Sequence, residues 1–409
     1  MLNFSSFLTE SKNTHMTHLE DRIIDSGVEG TREAINFLRA LRDMLAGRSK
    51  SKVNVTVKWD GAPAVFAGVD PSDGKFFVAK KGIFNKNPKV YKTEADVDAD
   101  TSGDLNTKLK LALKHLPKLG IQGVVQGDFL YSRDDIKTVD IDGEPHITFH
   151  PNTIVYSIPK KSELAKRILR SEIGVVWHTT YRGDSFETMR ASFGEEIASN
   201  LKEVSSVWSV DATYKDVSGM ATFTEKETDE ITKILSDAGK IFSRLDRKTL
   251  DGLSANDQLN MRVNTFINSK VREGQRITNT RRFVDELVDY ILAYYKKEED
   301  KRKSEKGKQA QREKSKEVLS YFSNVDKREI VKVFDLYNLI VDAKLMIIRK
   351  LDKAKRIDTL LLTPNGYEVT EQEGFVAIDH TGKNAVKLVD RLQFSRANFS
   401  QDIIKGWQR

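Results

Sequence analysis

The sequence predicts an α+β protein, an antiparallel β core carrying a large helical insertion. Three observations lead there. Two β-rich stretches, 51–185 and 359–409, flank a segment, 186–358, whose apolar residues fall at helical spacing, as in Ile231, Ile234, Leu235, Ala238, Ile241 and Phe242. Proline is absent between 160 and 363. The strongest turn signals, Asp70–Gly74 and Asp142-Gly143, both lie in the first β stretch.

The elements follow in order. Thr17-His18-Leu19-Glu20 has capping-box spacing and starts a short helix, which the two glycines of Asp25–Gly30 interrupt. Ile35, Leu38, Leu41 and Leu45 then define a helix over 31–46, completing an N-terminal segment, 1–50, packed on the core. Residues 53–84 read as a β meander, opened by the alternating Val53, Val55 and Val57. Residues 105–118 suggest an amphipathic helix stopped near Pro117. Strands follow at 122–131, in a hairpin around Asp142-Gly143, at 153–158 and at 173–181. Within the insertion, 298–317 holds eight basic and six acidic residues and reads as a solvated helix or hairpin rather than a basic arm. Strand character returns at 367–369, 374–378 and 385–389. There is no internal repeat.

Composition narrows the class. A hydrophobic fraction of 39% supports a packed core, and a mean hydropathy of −0.49 fits a soluble chain. No apolar run approaches a membrane span, and Met1–Leu8 lacks the pattern of a signal peptide, so a cytoplasmic protein with no membrane partner is expected. Zero cysteines exclude disulfides and thiolate metal sites. A net charge of +7 suits a polyanionic partner such as nucleic acid.

The chemistry centres on Lys58-Trp-Asp60-Gly61 at the end of the first strand. Lys58 and Asp60 share a face, and Gly61 allows a sharp exit. A lysine nucleophile needs cations nearby, and Lys80-Lys81-Gly82 lies on the expected partner strand. Asp128 sits on an apolar strand, Glu373 precedes Gly374-Phe375-Val376, and Lys387 follows within Val386–Val389. A carboxylate and a lysine on neighbouring strands place a metal and a cation against one phosphate. Glu172-Ile173-Gly174 is a weaker rival to Glu373, with no lysine before Lys202. Asp140, Asp142 and Glu144 read as a turn, and His15, His18, His146, His150 and His178 as structural histidines.

In this order the motifs resemble those of the covalent nucleotidyltransferases: ATP-dependent DNA ligases, RNA ligases and mRNA capping enzymes. The matches are Lys58–Gly61, Lys80–Gly82, Gly127–Phe129, Phe149–Ile158, Glu373–Val376 and Val386–Val389. The chain is most similar to phage-type RNA ligases, since only 20 residues follow Val389. The resemblance implies an antiparallel nucleotidyltransferase core of ATP-grasp-like ligase type, and action in a host-cell cytoplasm. Lys58 would attack the α-phosphate of ATP to form a lysyl-AMP, and Lys387 would stabilise the charge. Asp60, Lys80 or Lys81, and Asp128 would bind the nucleotide, with Phe149 or Tyr156 stacked on the base. Glu373 would hold Mg2+ or Mn2+. The adenylate would pass to a 5′-phosphate for joining to a 3′-hydroxyl, on RNA rather than DNA, and the insertion could dock a partner protein. The sequence departs from the pattern at Asp128, where glutamate is usual, and at Ala385 or Val389, where a second lysine is usual. These departures leave open transfer to another acceptor, or a ligase-like binding module without catalysis.

Overall fold

The computed structural model describes residues 16–47, 54–214, 221–354, 357–378 and 385–408; residues 1–8, His15 and Val53, read above, lie outside these. The chain opens with α1 (Arg22–Leu45), followed by strands β1 (Asn54–Val57), β2 (Ala64–Val69) and β3 (Phe76–Ala79). Helices α2 (Glu94–Asp100) and α3 (Gly103–His115) lead into β4 (Val124–Ser132), β5 (Lys137–Ile141), β6 (Glu144–Phe149) and β7 (Ile154–Pro159). Then come α4 (Glu163–Arg170), β8 (Ile173–Arg182), β9 (Arg190–Phe193) and β10 (Val207–Asp211). Six helices follow: α5 (Glu225–Arg244), α6 (Arg247–Ala255), α7 (Asp257–Arg272), α8 (Thr280–Asp300), α9 (Glu305–Asn324) and α10 (Lys327–Asp352). The chain returns through β11 (Asp358–Thr363), β12 (Gly366–Val369), β13 (Phe375–Ile378), β14 (Ala385–Leu388) and α11 (Arg391–Phe399).

The strands form three sheets, ordered β1-β13-β14, β10-β8-β4-β2-β3 with β9 also on β8, and β12-β11-β7-β6-β5. Every pairing between these strands is antiparallel except β8 with β10. The fold is therefore α+β with antiparallel sheets. Turn chemistry made the local hairpins predictable. Asp70 accepts from the Ser72 amide at 2.8 Å and closes the β2–β3 turn, while Asp142 (φ 53) and Gly143 (φ 84) take the left-handed backbone of a two-residue hairpin.

The meander is corrected at β1, which pairs with β13 instead of β2, Val57 opposite Phe375. At Lys58–Gly61 the chain turns away before β2 begins, leaving β1 free for a distant partner. The helical segment is also shorter than expected. β9 and β10 belong to the second sheet, so the helices begin at α5 rather than near 186. These two strands are short and irregularly buried, which hides them from periodicity. The interruption expected within Asp25–Gly30 is present: Ser26 and Gly27 have non-helical backbone and kink α1 there. The charged run becomes the hairpin between α8 and α9.

Two cores position the site. Between the second and third sheets lie Leu130, Tyr131, Phe149, Tyr156, Val176 and Trp208. The larger core joins α1 and the six-helix block to Phe375, Ala377, Val386 and Leu388 of the first sheet. Thus α1, expected on the strand core, belongs with the helical block, and that block rests directly on β13 and β14. Buried ions reinforce the junction. Lys344 of α10 reaches Glu20 at 2.6 Å, and Arg391 reaches Asp21 at 2.7 Å. Just before them, residues 17–19 lie against β14: the Lys387 amide donates to Thr17 O at 3.0 Å, and the Leu19 amide to Lys387 O at 3.2 Å.

Candidate active site

Lys58 emerges from β1 beside the loop that enters β13. Its amide donates to Gly374 O at 2.9 Å, and its ammonium forms an ion pair with Glu373 Oε1. Gly374 makes this approach possible. Its φ is 144°, and a Cβ there would lie 2.6 Å from Leu388 O on β14. Gly374→Ala is expected to cost about 1–3 kcal/mol, visible as a lower melting temperature with unchanged secondary structure. Lys387 stands on the same sheet, opposite Val376, which in turn pairs with Thr56, two residues before Lys58. Burial lowers the Lys387 pKa, and the positive charges of Lys58 and Lys81 lower it further.

The second sheet supplies the opposite wall. A Cβ on Gly61 would sit 2.5 Å from Asp128 Cβ, so glycine lets the Lys58 loop press against β4. The Ala62 amide donates to Phe129 O at 2.9 Å and fixes that contact. Asp128 keeps a partly exposed carboxylate, with His178 Nε2 3.8 Å from Oδ2. A register shift between Gln126 and Gly127 leaves His178 as the extra residue of β8, beside Asp128.

Burial lifts the Glu373 carboxyl to about 7, against the pull of Lys58, and Asp60 and Asp128 are close enough to add to the rise. Lys58, Lys81, Asp128, Glu373 and Lys387, drawn from all along the sequence, thus converge. Such a cluster sets an amine beside a carboxylate with two further cations near it, an arrangement able to neutralise an anionic group.

Four expected residues have other roles. Asp60 is buried and accepts from Asn152 Nδ2 at 2.6 Å and from the Thr153 and Ile154 amides at 2.7 Å each, while its own amide donates to Tyr156 Oη at 2.7 Å. It ties the Lys58 loop to the start of β7 rather than facing a ligand. Tyr156 is 3% exposed and packs on Trp59 and Phe149, so it anchors that loop and offers no free ring face. Phe149 is fully buried between Tyr131 and Tyr156. Lys80 is engaged by Asp100 at 3.1 Å and lies over the Tyr91 ring, so Lys81 is the member of the pair that acts on Lys387.

A small pocket of about 20 Å³ lies beside Glu373 beneath α11, lined by Asp60, Glu371, Glu373, Asp390 and Phe394 among others. Its acidic lining is unfavourable to polyphosphate. Glu373 Oε2 is buried without a hydrogen-bond partner, a feature that fits a divalent cation. Among the described residues no three acidic or histidine side chains are grouped to hold a metal. Mg2+ commonly takes one or two carboxylates and completes its shell with phosphate and water, so a single Glu373 suffices.

Sequence reading took His178 for a structural histidine and did not name Phe394, whose ring centroid lies 5.8 Å from Lys58 Nζ. A strand bulge placed the first and a helix beyond the last motif the second, and neither carries a local signal. No curated protein and no solved structure matches the chain. A family model covers residues 13–403, and the chain belongs to that family, DUF6267, described as a family of unknown function.

Proposed function

We propose that this protein is an ATP-dependent nucleotidyltransferase that forms a lysyl-AMP on Lys58 and acts as a polynucleotide ligase on RNA. The observation that carries the reading is the Lys58–Glu373 pair flanked by Lys387 and Asp128. Glu373 Oε1 orients the Lys58 amine, whose proton leaves to the solvent that reaches this partly exposed group. The Nζ lone pair forms a P–N bond to the α-phosphorus, the α–β P–O bond breaks, and pyrophosphate departs. Lys387 and Lys81 offset the charge on the phosphates. Asp128 accepts from the ribose hydroxyls. Glu373 would hold a divalent cation, which would supply further charge neutralisation. In transfer, a 5′-phosphate oxygen attacks the adenylate phosphorus, the P–N bond breaks, and Lys58 regains its proton. A 3′-hydroxyl then attacks the activated 5′-phosphate, and AMP leaves. In-line displacement of this kind depends chiefly on positioning.

Incubation with α-labelled ATP and magnesium should label the protein covalently, and Lys58→Ala should abolish the label. No label with ATP, GTP or adenine-labelled NAD would overturn the covalent mechanism. Label without sealing of nicked or single-stranded RNA would point to a different acceptor. No helix among the described residues is long and apolar enough to cross a membrane.

A further inference from the structure

A strongly basic surface lies on α4. Residues 160–170, Lys-Lys-Ser-Glu-Leu-Ala-Lys-Arg-Ile-Leu-Arg, carry five cations and one acid. Ala165 and Ile168 anchor the helix to the core, and Ser162 caps it, accepting from the Ala165 amide at 3.1 Å. The exposed Arg167 and Arg170 line a groove of about 360 Å³, faced by Lys202 and by Ser205, Trp208 and Ser209. Glu203 is the one acid in its lining. Among the described residues no ion pair engages Arg167, Arg170 or Lys202.

The α8–α9 hairpin differs, although its sequence is as rich in lysine. Its acids are occupied from within: Glu299 and Glu305 by Arg312, Glu298 by Lys301, and Asp300 by Lys296. The hairpin, residues 298–317, carries eight cations and six acids, a net +2 over 20 residues, whereas residues 160–170 carry five cations and one acid, a net +4 over 11.

The groove also lies close to the site. Asp128 is opposite Val176, and Val176 is opposite Val210, so the three form one row across the sheet. Trp208 is two residues from Val210 on the same face of β10. Two strand spacings of about 4.8 Å and two rises of about 3.3 Å put Trp208 Cα about 12 Å from Asp128 Cα.

We propose that the groove between α4 and residues 198–209 holds the phosphate backbone of the single-stranded polynucleotide presented to Lys58. The inference rests on the ligase reading and adds to it the track of the strand. Arginine forks and serine hydroxyls suit phosphate oxygens, and a concave groove fits a strand better than a flat membrane surface.

The test is binding of a short 5′-phosphorylated single-stranded RNA to the full chain, followed by fluorescence anisotropy across a salt series. An R167E/R170E double variant should weaken binding roughly tenfold or more and reduce the log–log salt slope by about 2, with its melting temperature preserved. Arg167→Lys with Arg170→Lys should retain most binding, and Lys308→Glu with Lys314→Glu on α9 should leave it near wild type. Unchanged affinity in the α4 double variant, or an equal loss in the α9 control, would overturn the proposal. Preferential binding of phosphatidylserine vesicles over RNA would also overturn it. RNA binding lost with the α4 charges, in a protein that takes no nucleotide label, would sustain the groove and remove the ligase reading.

Discussion

Glu373→Gln is expected to stabilise the fold at about pH 8 while abolishing nucleotide labelling. Burial raises this carboxyl from its ordinary 4.5 to about 7. The native protein therefore holds the proton where the unfolded chain has released it. Below about pH 4.5 both states are protonated and the group is neutral in its effect on stability. As pH rises through the window from 4.5 to 7, ionisation increasingly favours the unfolded chain, and above 7 the full penalty persists. A shift of this size corresponds to on the order of 1–3 kcal/mol. Glutamine removes the penalty and still presents an oxygen to Lys58. The gain in melting temperature should be a few degrees at about pH 8 and should shrink toward pH 5. An equal difference at both pH values, or a lower melting temperature at pH 8, would contradict this account. Activity should fall because the amide carries no charge with which to hold a cation, so labelling at saturating ATP and magnesium measures the other half. A residue kept at such a cost to stability is typical of a functional position.

Lys344→Met is expected to destabilise the protein by about 3–5 kcal/mol. Lys344 and Glu20 have side chains only 1% exposed and meet at 2.6 Å. Burial alone would raise the Glu20 carboxyl, yet Lys344, with help from His18 and Arg391, holds it down at about 2. The depressed value means the pair stabilises the fold above about pH 4.5 and loses that contribution as pH falls toward 2. Removing Lys344 strands a buried carboxylate. Glu20→Gln combined with Lys344→Met should recover part of the loss, since no net charge then remains uncompensated. Denaturant unfolding of the two single variants and the double variant provides the cycle, and additive losses would refute the coupling. Glu20 follows the segment that hydrogen-bonds Lys387, so the single variant should also label more slowly than wild type.

Legibility differed by the range of the interaction. The β2–β3 and β5–β6 hairpins and the helical insertion were readable because Asp70, Asp142-Gly143 and the spacing of Ile231 to Phe242 are local signals. Lys58, Lys81, Asp128, Glu373 and Lys387 were named from motif order, and they meet. The roles of Asp60 and Tyr156 were not readable, because their hydrogen bond arises from the docking of the Lys58 loop onto β7. Phe149 was chosen as a ring near a motif, but an aromatic between two sheets is more often core than platform, and it is core here. β10 escaped notice because its partner, β8, is parallel and reached by an irregular connection. The attachment of α1 to the helical block was not readable, because the spacing of Ile35, Leu38, Leu41 and Leu45 announces a buried face but not the partner it is buried against.

The β1–β13 pairing bears on how the molecule comes into being. During synthesis Lys58 leaves the ribosome long before β13 and β14, the strands that complete its surroundings. Until then β1 has an unpaired edge, and the lysine lacks both its carboxylate and its companion cation. The helices must pack before β13 and β14 have a surface to lie on. A chain that stops before β13 thus carries Lys58 without the Glu373 and Lys387 that surround it in the folded molecule.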